Sequence, residues 1–363
     1  MATIAILGAG MMGSAMSFPL ADRGHDVRLI GTHLDQAIID EVAHGRAHPG
    51  LKVTLPPSLR ASPLAALERA AGDAELFLLG VSSAGVRWAA EALAPLLARA
   101  PRPVLMVSKG LELRAEPERG DCALTILPDV FAARLSELEP QALRSPSGAP
   151  RVAPVAVAGP CIAGELARRV PTSVVFSGRE RALAERWREL CSASYYTPRV
   201  DADVDGVELC AALKNAYALG VGFGAGLHER AGGEPGSVAM HNHEAAVFGQ
   251  AVLEMHALVS ALGGSPLSAV GLAGSGDLMV TCNGGRTGRF GKLLGYGHSL
   301  QRAVELMAGA TLECLEILRV MDAYLARPSS SPGRAELPLL AHLIDVALAG
   351  APVDVPFGRF ARQ

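Results

Sequence analysis

Thr3-Ile4-Ala5-Ile6-Leu7-Gly8-Ala9-Gly10-Met11-Met12-Gly13 is the stretch that decides the fold of this chain. Its first five residues read as a buried strand, and a helical pattern runs from about Met11 to Arg23. Between them the glycines fit GxGxxG, a weak pattern alone but a specific one between a strand and a helix. In that setting Gly8 permits a tight turn, Gly10 lets a diphosphate approach the backbone, and Gly13 lets strand and helix pack closely. Free N–H groups and the helix dipole favour an anion there. Gly8, Gly10, Met11, Met12 and Gly13 are therefore candidate dinucleotide-binding residues, the alternative being an ordinary glycine turn.

Working outward, short apolar runs alternate with helical segments. Strand candidates are Asp26–Ile30, Glu75–Val81, Val104–Ser108, Val152–Ala158, Thr172–Ser177 and Tyr195–Val200. Helical patterns lie at Leu34–His44, Val86–Arg99, Ile162–Arg169 and Glu180–Cys191. Residues 48–57 read as a proline-rich connection, and 113–150 as surface excursions around a short apolar piece. Such alternation predicts an α/β, Rossmann-type N-terminal domain with a mostly parallel, doubly wound sheet over residues 1–200. Beyond residue 200 long helical patterns dominate, as in Val204–Leu227, Ala245–Leu262, Leu300–Ala308 and Leu312–Ala326, and predict an all-α domain over 201–363.

The second strand ends Leu29-Ile30-Gly31-Thr32-His33, with no acid to hold the ribose hydroxyls of NAD and no Arg for a 2′-phosphate. Asp35 falls inside the next helical pattern. Thr32 and His33 could hydrogen-bond a phosphate, so the cofactor expectation is NAD(P)(H) with a lean to NADP(H).

Net charge is −3 with no block of like charge, which argues against nucleic acid and anionic membranes as partners. No apolar run reaches about 18 residues, so stable membrane insertion is not expected. The apolar N-terminus lacks a basic leader and is broken by glycines, so it reads as structure rather than a signal peptide. Six scattered cysteines without CxxC or zinc spacing read as reduced thiols in the cytoplasm, with no metal site. His241-Asn242-His243-Glu244 suggests metal ligation, but histidines two apart diverge on a helix.

Of 33 basic residues only Lys52, Lys109, Lys214 and Lys292 are lysine. Coding bias accounts for the ratio, but lysine, unlike arginine, can exchange a proton near neutrality. Helical spacing puts Val207, Ala211, Ala218 and Val221 on the face of Lys214, an apolar stripe where desolvation favours the neutral amine. Periodicity alone equally allows a lysine snorkelling to the surface. Lys109 follows a strand candidate, where side chains point toward the usual ligand crevice, or is simply a loop lysine. The glycines and arginines of Asn283–Arg289 suggest an anion nest, or else a solvated loop.

Several stretches together resemble the NAD(P)-dependent glycerol-3-phosphate dehydrogenases. Val107-Ser108-Lys109-Gly110-Leu111-Glu112 is similar to their lysine turn, Gly159-Pro160-Cys161-Ile162-Ala163-Gly164-Glu165 to GPxxAxE, and Glu208-Leu209-Cys210-Ala211-Ala212-Leu213-Lys214-Asn215 to ELxxALKN. Gly276–Cys282 resembles GDLxxTC, and Asn283–Arg289 the arginine turn that follows it. With the glycine turn, these stand in the family's order from residue 8 to about 315.

The resemblance implies Lys214, Lys109 and Asp277 as catalytic residues. It implies Lys109, Gly159, Cys161, Asn215, Asp277, Thr281, Arg286 and Thr287 as contacts of a small phosphorylated three-carbon substrate. Lys109, Ala163, Arg286 and Glu313 would join the glycine turn and Thr32 at the cofactor. Asp277 could also be a helix cap, and Thr281 and Asn215 satisfied core groups. Three departures stand out: Cys161 replaces a usual Ser, Thr287 a usual Asn, and Leu312-Glu313-Cys314-Leu315 the usual VEGY. A helical second domain is compatible with a homodimer. Rival readings are a two-domain dehydrogenase of hydroxy acids or other phosphorylated ketones, and a non-catalytic dinucleotide sensor.

Overall fold

The computed structural model describes residues 1–116, 121–236 and 240–360, which form two compact units. The first comprises Met1–Lys109 with Ile126–Val204, the second Gly110–Thr125 with Asp205–Gln363.

In the first unit, β1 (Thr3–Leu7), β2 (Asp26–Ile30), β3 (Arg60–Ser62), β4 (Leu76–Leu79) and β5 (Val104–Met106) alternate with α1 (Met11–Asp22), α2 (Gln36–Ala43), α3 (Leu67–Ala71) and α4 (Val86–Arg99). The chain then makes the hairpin strands β6 (Leu111–Glu116) and β7 (Asp121–Ile126), and continues as α5 (Leu127–Leu138), α6 (Pro140–Leu143), β8 (Val155–Ala158), α7 (Ala163–Leu166), β9 (Thr172–Ser177), α8 (Arg181–Cys191) and β10 (Tyr196–Asp201). The eight-stranded sheet has the order β10-β9-β8-β5-β4-β1-β2-β3. All its pairs are parallel except β8 with β9, so the sheet is mostly parallel as expected.

Strand alternation builds two cores from one sheet. Ile4, Ile6, Leu76 and Leu78 face the layer holding Met16 and Phe18 of α1 and Trp187 of α8. Ala5, Leu7, Phe77 and Leu79 face Val86, Leu93 and Leu97 of α4 and Phe131 of α5. A sheet covered on both faces needs apolar residues at both strand parities, as in the wholly buried Leu76–Leu79. The carboxyl ends of β1, β4, β5 and β8, which carry Gly8, Gly80, Lys109 and Gly159, share one rim.

The second unit holds α9 (Val204–Arg230), α10 (His241–Ala261), α11 (Leu267–Val270), α12 (Asp277–Gly284), α13 (Arg286–Tyr296), α14 (Leu300–Leu306), α15 (Glu313–Leu325) and α16 (Pro338–Ala349). It is helical, as expected, with one addition: β6 and β7 belong to it. Asp121 of β7 accepts from the Ser329 hydroxyl and pairs with Arg327 at 3.2 Å. Residues 113–150 thus contain a hairpin and a three-turn helix rather than irregular excursions, with 117–120 outside the described residues.

Two devices hold this unit together. Buried Glu254 of α10 accepts from Leu339 and Leu340 N–H at the start of α16, from the Tyr217 hydroxyl of α9 and from Gln250. Its burial raises the carboxyl pKa and the four donors oppose this. The second device is glycine. A Cβ on Gly291 of α13 would lie 2.1 Å from the Leu219 carbonyl of α9, and one on Gly222 of α9 2.4 Å from the Gly288 carbonyl. Only bare backbone lets these two helices approach so closely.

Candidate active site

In the first unit, β1 ends directly in the glycine turn. Gly8 has φ +109°, and a Cβ there would sit 2.8 Å from the Gly80 backbone. A Cβ on Gly13 would lie 2.4 Å from the Gly8 carbonyl. These two glycines are demanded by the fold itself. Gly10 differs: its φ is −63°, and a Cβ would meet only the Gly80 carbonyl, at 3.6 Å. Gly10 caps α1 without any side-chain acceptor for the N–H groups of the first turn. Bare donors beside a position that keeps glycine without internal need fit an anionic diphosphate.

Asp35 changes the reading of the ribose end. It precedes α2 rather than lying inside it, and its carboxylate is buried. Oδ2 accepts from Ala9 N–H at 3.0 Å, Thr32 N–H at 2.8 Å and the Thr32 hydroxyl at 2.8 Å. The Thr32 hydroxyl also accepts from Leu34 N–H, and the His33 ring stands edge-on to Trp88 at 5.2 Å. Thr32 has therefore already committed its hydroxyl hydrogen within the protein.

Elsewhere on the rim, Lys109 is half-buried and lies three residues beyond β5. Ser108 before it donates to the Val81 carbonyl at 2.6 Å. Gly159, with φ +109°, follows β8, Cys161 is half-buried, and Ala163 opens the short α7. Parallel pairing of β5 with β8 sets the loops of Lys109 and Gly159 side by side on this rim.

In the second unit, Lys214 lies mid-helix in α9 and is 8% exposed. Its Nζ donates to Asp277 Oδ1 at 2.8 Å and to Thr281 Oγ1 at 2.8 Å. Asp277 opens α12 and Thr281 stands one turn later, so both face the lysine, and the Thr281 hydroxyl donates back to the Asp277 carbonyl at 2.7 Å. The apolar stripe seen in the sequence is real: Val207, Ala211, Ala218 and Val221 are all buried. The stripe alone could not reveal the carboxylate. Burial favours the neutral amine, while Asp277 favours the ammonium and fixes its direction. Burial pushes the nearby Cys282 thiol up to about 12, and the Lys214 charge opposes this.

Asn215, next along α9, donates to Glu313 Oε2 at 3.2 Å at the start of α15. Thr287 is buried in α13 and opposes the rise of the Cys314 thiol, which burial nonetheless carries up to about 12. Two departures from the family pattern are therefore partners in space. Arg286 is exposed at the first position of α13. The stretch Asn283–Arg289 is not an open nest: α12 runs to Gly284, Gly285 alone links, and α13 begins at Arg286. Arg286 therefore stands at a helix N-terminus rather than in a loop. Of the His241–Glu244 motif, His241 meets Glu244 at 3.3 Å and His243 packs edge-on to Phe357.

Sequence reasoning missed two residues. Asp35 stands 22 residues beyond Gly13, near the usual spacing of a ribose-end acid, and that spacing was its signal. His48, 1% exposed, bonds the Ala9 carbonyl from within the proline-rich connection, and nothing local marked it.

A glycine turn on the rim of a mostly parallel sheet, joined to a helical unit with a carboxylate-seated lysine, is the architecture of a Rossmann-type dehydrogenase. Models of the N-terminus and C-terminus of NAD-dependent glycerol-3-phosphate dehydrogenase match residues 3–184 and 203–356. The NADP(+)-dependent glycerol-3-phosphate dehydrogenase of Archaeoglobus fulgidus is 34% identical over 97% of this chain and 96% of its own length. A Bacillus cereus glycerol-3-phosphate dehydrogenase [NAD(P)+] is 31% identical over 99% of this chain and 95% of its own. The crystal structure of the Coxiella burnetii glycerol-3-phosphate dehydrogenase superposes with a TM-score of 0.77 at 26% identity, covering 99% of this chain and 97% of that one. The chain belongs to the NAD-dependent glycerol-3-phosphate dehydrogenase family.

Proposed function

We propose that this enzyme interconverts sn-glycerol 3-phosphate and dihydroxyacetone phosphate with NAD(P)(H). The observation that carries the reading is the buried Lys214 ammonium, held by Asp277 and Thr281. A dinucleotide whose diphosphate lay at the glycine turn would supply or accept the hydride through its nicotinamide. In the reductive direction Lys214 donates the proton that turns the carbonyl oxygen into a hydroxyl, and Asp277 keeps the ammonium aimed. Arg286 and the N-terminus of α13 hold the substrate phosphate, with Thr287 behind them. Lys109, Gly159, Cys161, Asn215 and Thr281 are the remaining substrate contacts. Ala163 and Glu313 serve the cofactor, and Thr32 stands with Asp35 at its ribose end. In this scheme residues 1–200, apart from the hairpin, are the dinucleotide-binding domain, and 201–363 with the hairpin the substrate domain.

The lean to NADP(H) is supported by the name of the Archaeoglobus relative. A homodimer, in a cytoplasmic enzyme, fits the exposed Leu253 and Val270, which line one surface depression of the second unit. No helix among the described residues is long and apolar enough to cross a membrane. The departures from the family pattern at Thr287 and Cys314 favour one second reading, a related phosphorylated ketone as substrate. Initial rates of dihydroxyacetone phosphate reduction with NADH and with NADPH test both. Turnover with neither dinucleotide removes the main reading, and turnover of only a longer phosphorylated ketone selects the second.

A further inference from the structure

The glycine turn is held by side chains that no motif includes. His48 Nδ1 faces the N–H groups of Gly50 and Leu51, each at 3.1 Å, so this nitrogen accepts. Its Nε2 therefore carries the hydrogen and donates to the Ala9 carbonyl at 2.9 Å. Ser14 Oγ donates to the same carbonyl at 3.1 Å. One residue back along the backbone, Ala9 N–H is taken by Asp35 Oδ2 at 3.0 Å. Gly8 N–H is taken by the Ile30 carbonyl at 2.8 Å. The two peptide planes flanking Ala9 are thus fixed, the first through its N–H and the second through its C=O.

The second plane matters most. A trans peptide is planar, so its C=O and N–H point in opposite directions. With the Ala9 carbonyl drawn inward to His48 and Ser14, Gly10 N–H is turned the other way, toward the open side of the turn. The Ala9–Gly10 peptide has no side chain at Gly10 to resist rotation, and glycine tolerates almost any backbone setting. His48 and Ser14 supply the restraint that glycine lacks.

We propose that Asp35 and His48 are positioning residues of the dinucleotide site. Together they hold the Ala9 peptide so that the donors from Gly10 onward, and not those of Gly8 or Ala9, meet the diphosphate. This rests on the dinucleotide reading of the turn. Because the diphosphate is common to both cofactors, the restraint acts equally on NADH and NADPH.

The experiment titrates NADH and NADPH by fluorescence against the full chain and its His48→Ala, His48→Gln and Asp35→Ala variants, with initial rates alongside. For His48→Ala both Kd values should rise about tenfold, the usual worth of one well-placed hydrogen bond to a charged group. Saturating cofactor should restore kcat, and KM for dihydroxyacetone phosphate should stay unchanged. Glutamine can still donate to the Ala9 carbonyl, so His48→Gln should recover most of the affinity. If His48→Ala does not fold, Asp35→Ala reads the other plane, with an expected rise of about threefold or more in both Kd values. Unchanged Kd values in the folded variants overturn the proposal, as does an equal loss in kcat and substrate KM. Failure of the wild-type chain to bind either dinucleotide overturns the reading of the turn itself, a separate result.

Discussion

The chain has two glycine clusters flanking polar chemistry, Gly8–Gly13 and Gly284–Gly295, and in the sequence they look alike. In the fold they do opposite things. At the first, Gly8 and Gly13 let the strand turn and the helix close in, and Gly10 is left open toward a ligand. At the second, Gly288 and Gly291 face Gly222 and Leu219 of the neighbouring helix across less than a methyl group of space. The glycines there admit another helix, not an anion. What separates the cases is what a Cβ would meet, which spacing along the chain does not encode.

The comparison can be broken at several points, the largest first. Lys214→Arg keeps the charge but cannot readily pass a proton, and its fork does not fit a pocket shaped by Asp277 and Thr281. We expect kcat to fall by about 10²–10⁴ while dinucleotide Kd stays put, because the glycine turn belongs to the other unit. Near-normal turnover would shift the proton-transfer role to Lys109.

The next test sets glycine against glycine. Gly291→Val must push α13 off α9 and should cost about 3 kcal/mol or more in urea unfolding, near the upper end for overpacking. Gly10→Val should unfold like the wild type yet bind NAD(P)H at least about tenfold more weakly, since the lost contacts are those of a charged diphosphate. If Gly10→Val destabilises as much as Gly291→Val, the distinction drawn between the clusters is gone.

The smallest effect is expected at Arg286→Ala. An exposed guanidinium at a helix N-terminus is worth roughly 1.5–3 kcal/mol to a bound phosphate, so substrate KM should rise about tenfold. An unchanged KM would leave the second cluster with a purely architectural role.

Much of this was legible in the sequence, for physical reasons that vary by element. Thr3–Leu7, Asp26–Ile30, Thr172–Ser177 and Val86–Arg99 fall where the apolar period put them, because each is buried along its whole apolar face. β3 went unread because Arg60-Ala61-Ser62 is a three-residue edge strand without an apolar run. The hairpin 111–126 went unread because its strands are half polar and anchor to distant Arg327 and Ser329. Asn283–Arg289 reads as a loop by propensity, but packing against α9 overrides the cost of glycine in a helix. The Lys214 stripe was visible, and its Asp277 partner came from the family pattern rather than from spacing. His48 acts through a backbone peptide, and such a contact leaves no mark in residue order, whereas Asp35 was marked by its spacing from the glycine turn but hidden by the helical period around it.

The hairpin has one more consequence, for dissection of the molecule. The chain passes from the first unit to the second after Lys109, returns after Thr125, and leaves for good after Val204. No single cut therefore yields either unit whole. A fragment beginning at Asp205 would lack β6 and β7, and would leave Arg327 and Ser329 facing an empty slot where Asp121 belongs. A chimera that joins two relatives at one point near residue 204 would mate the hairpin of one parent with the helices of the other. Exchange of the helical unit between family members needs two grafts, not one.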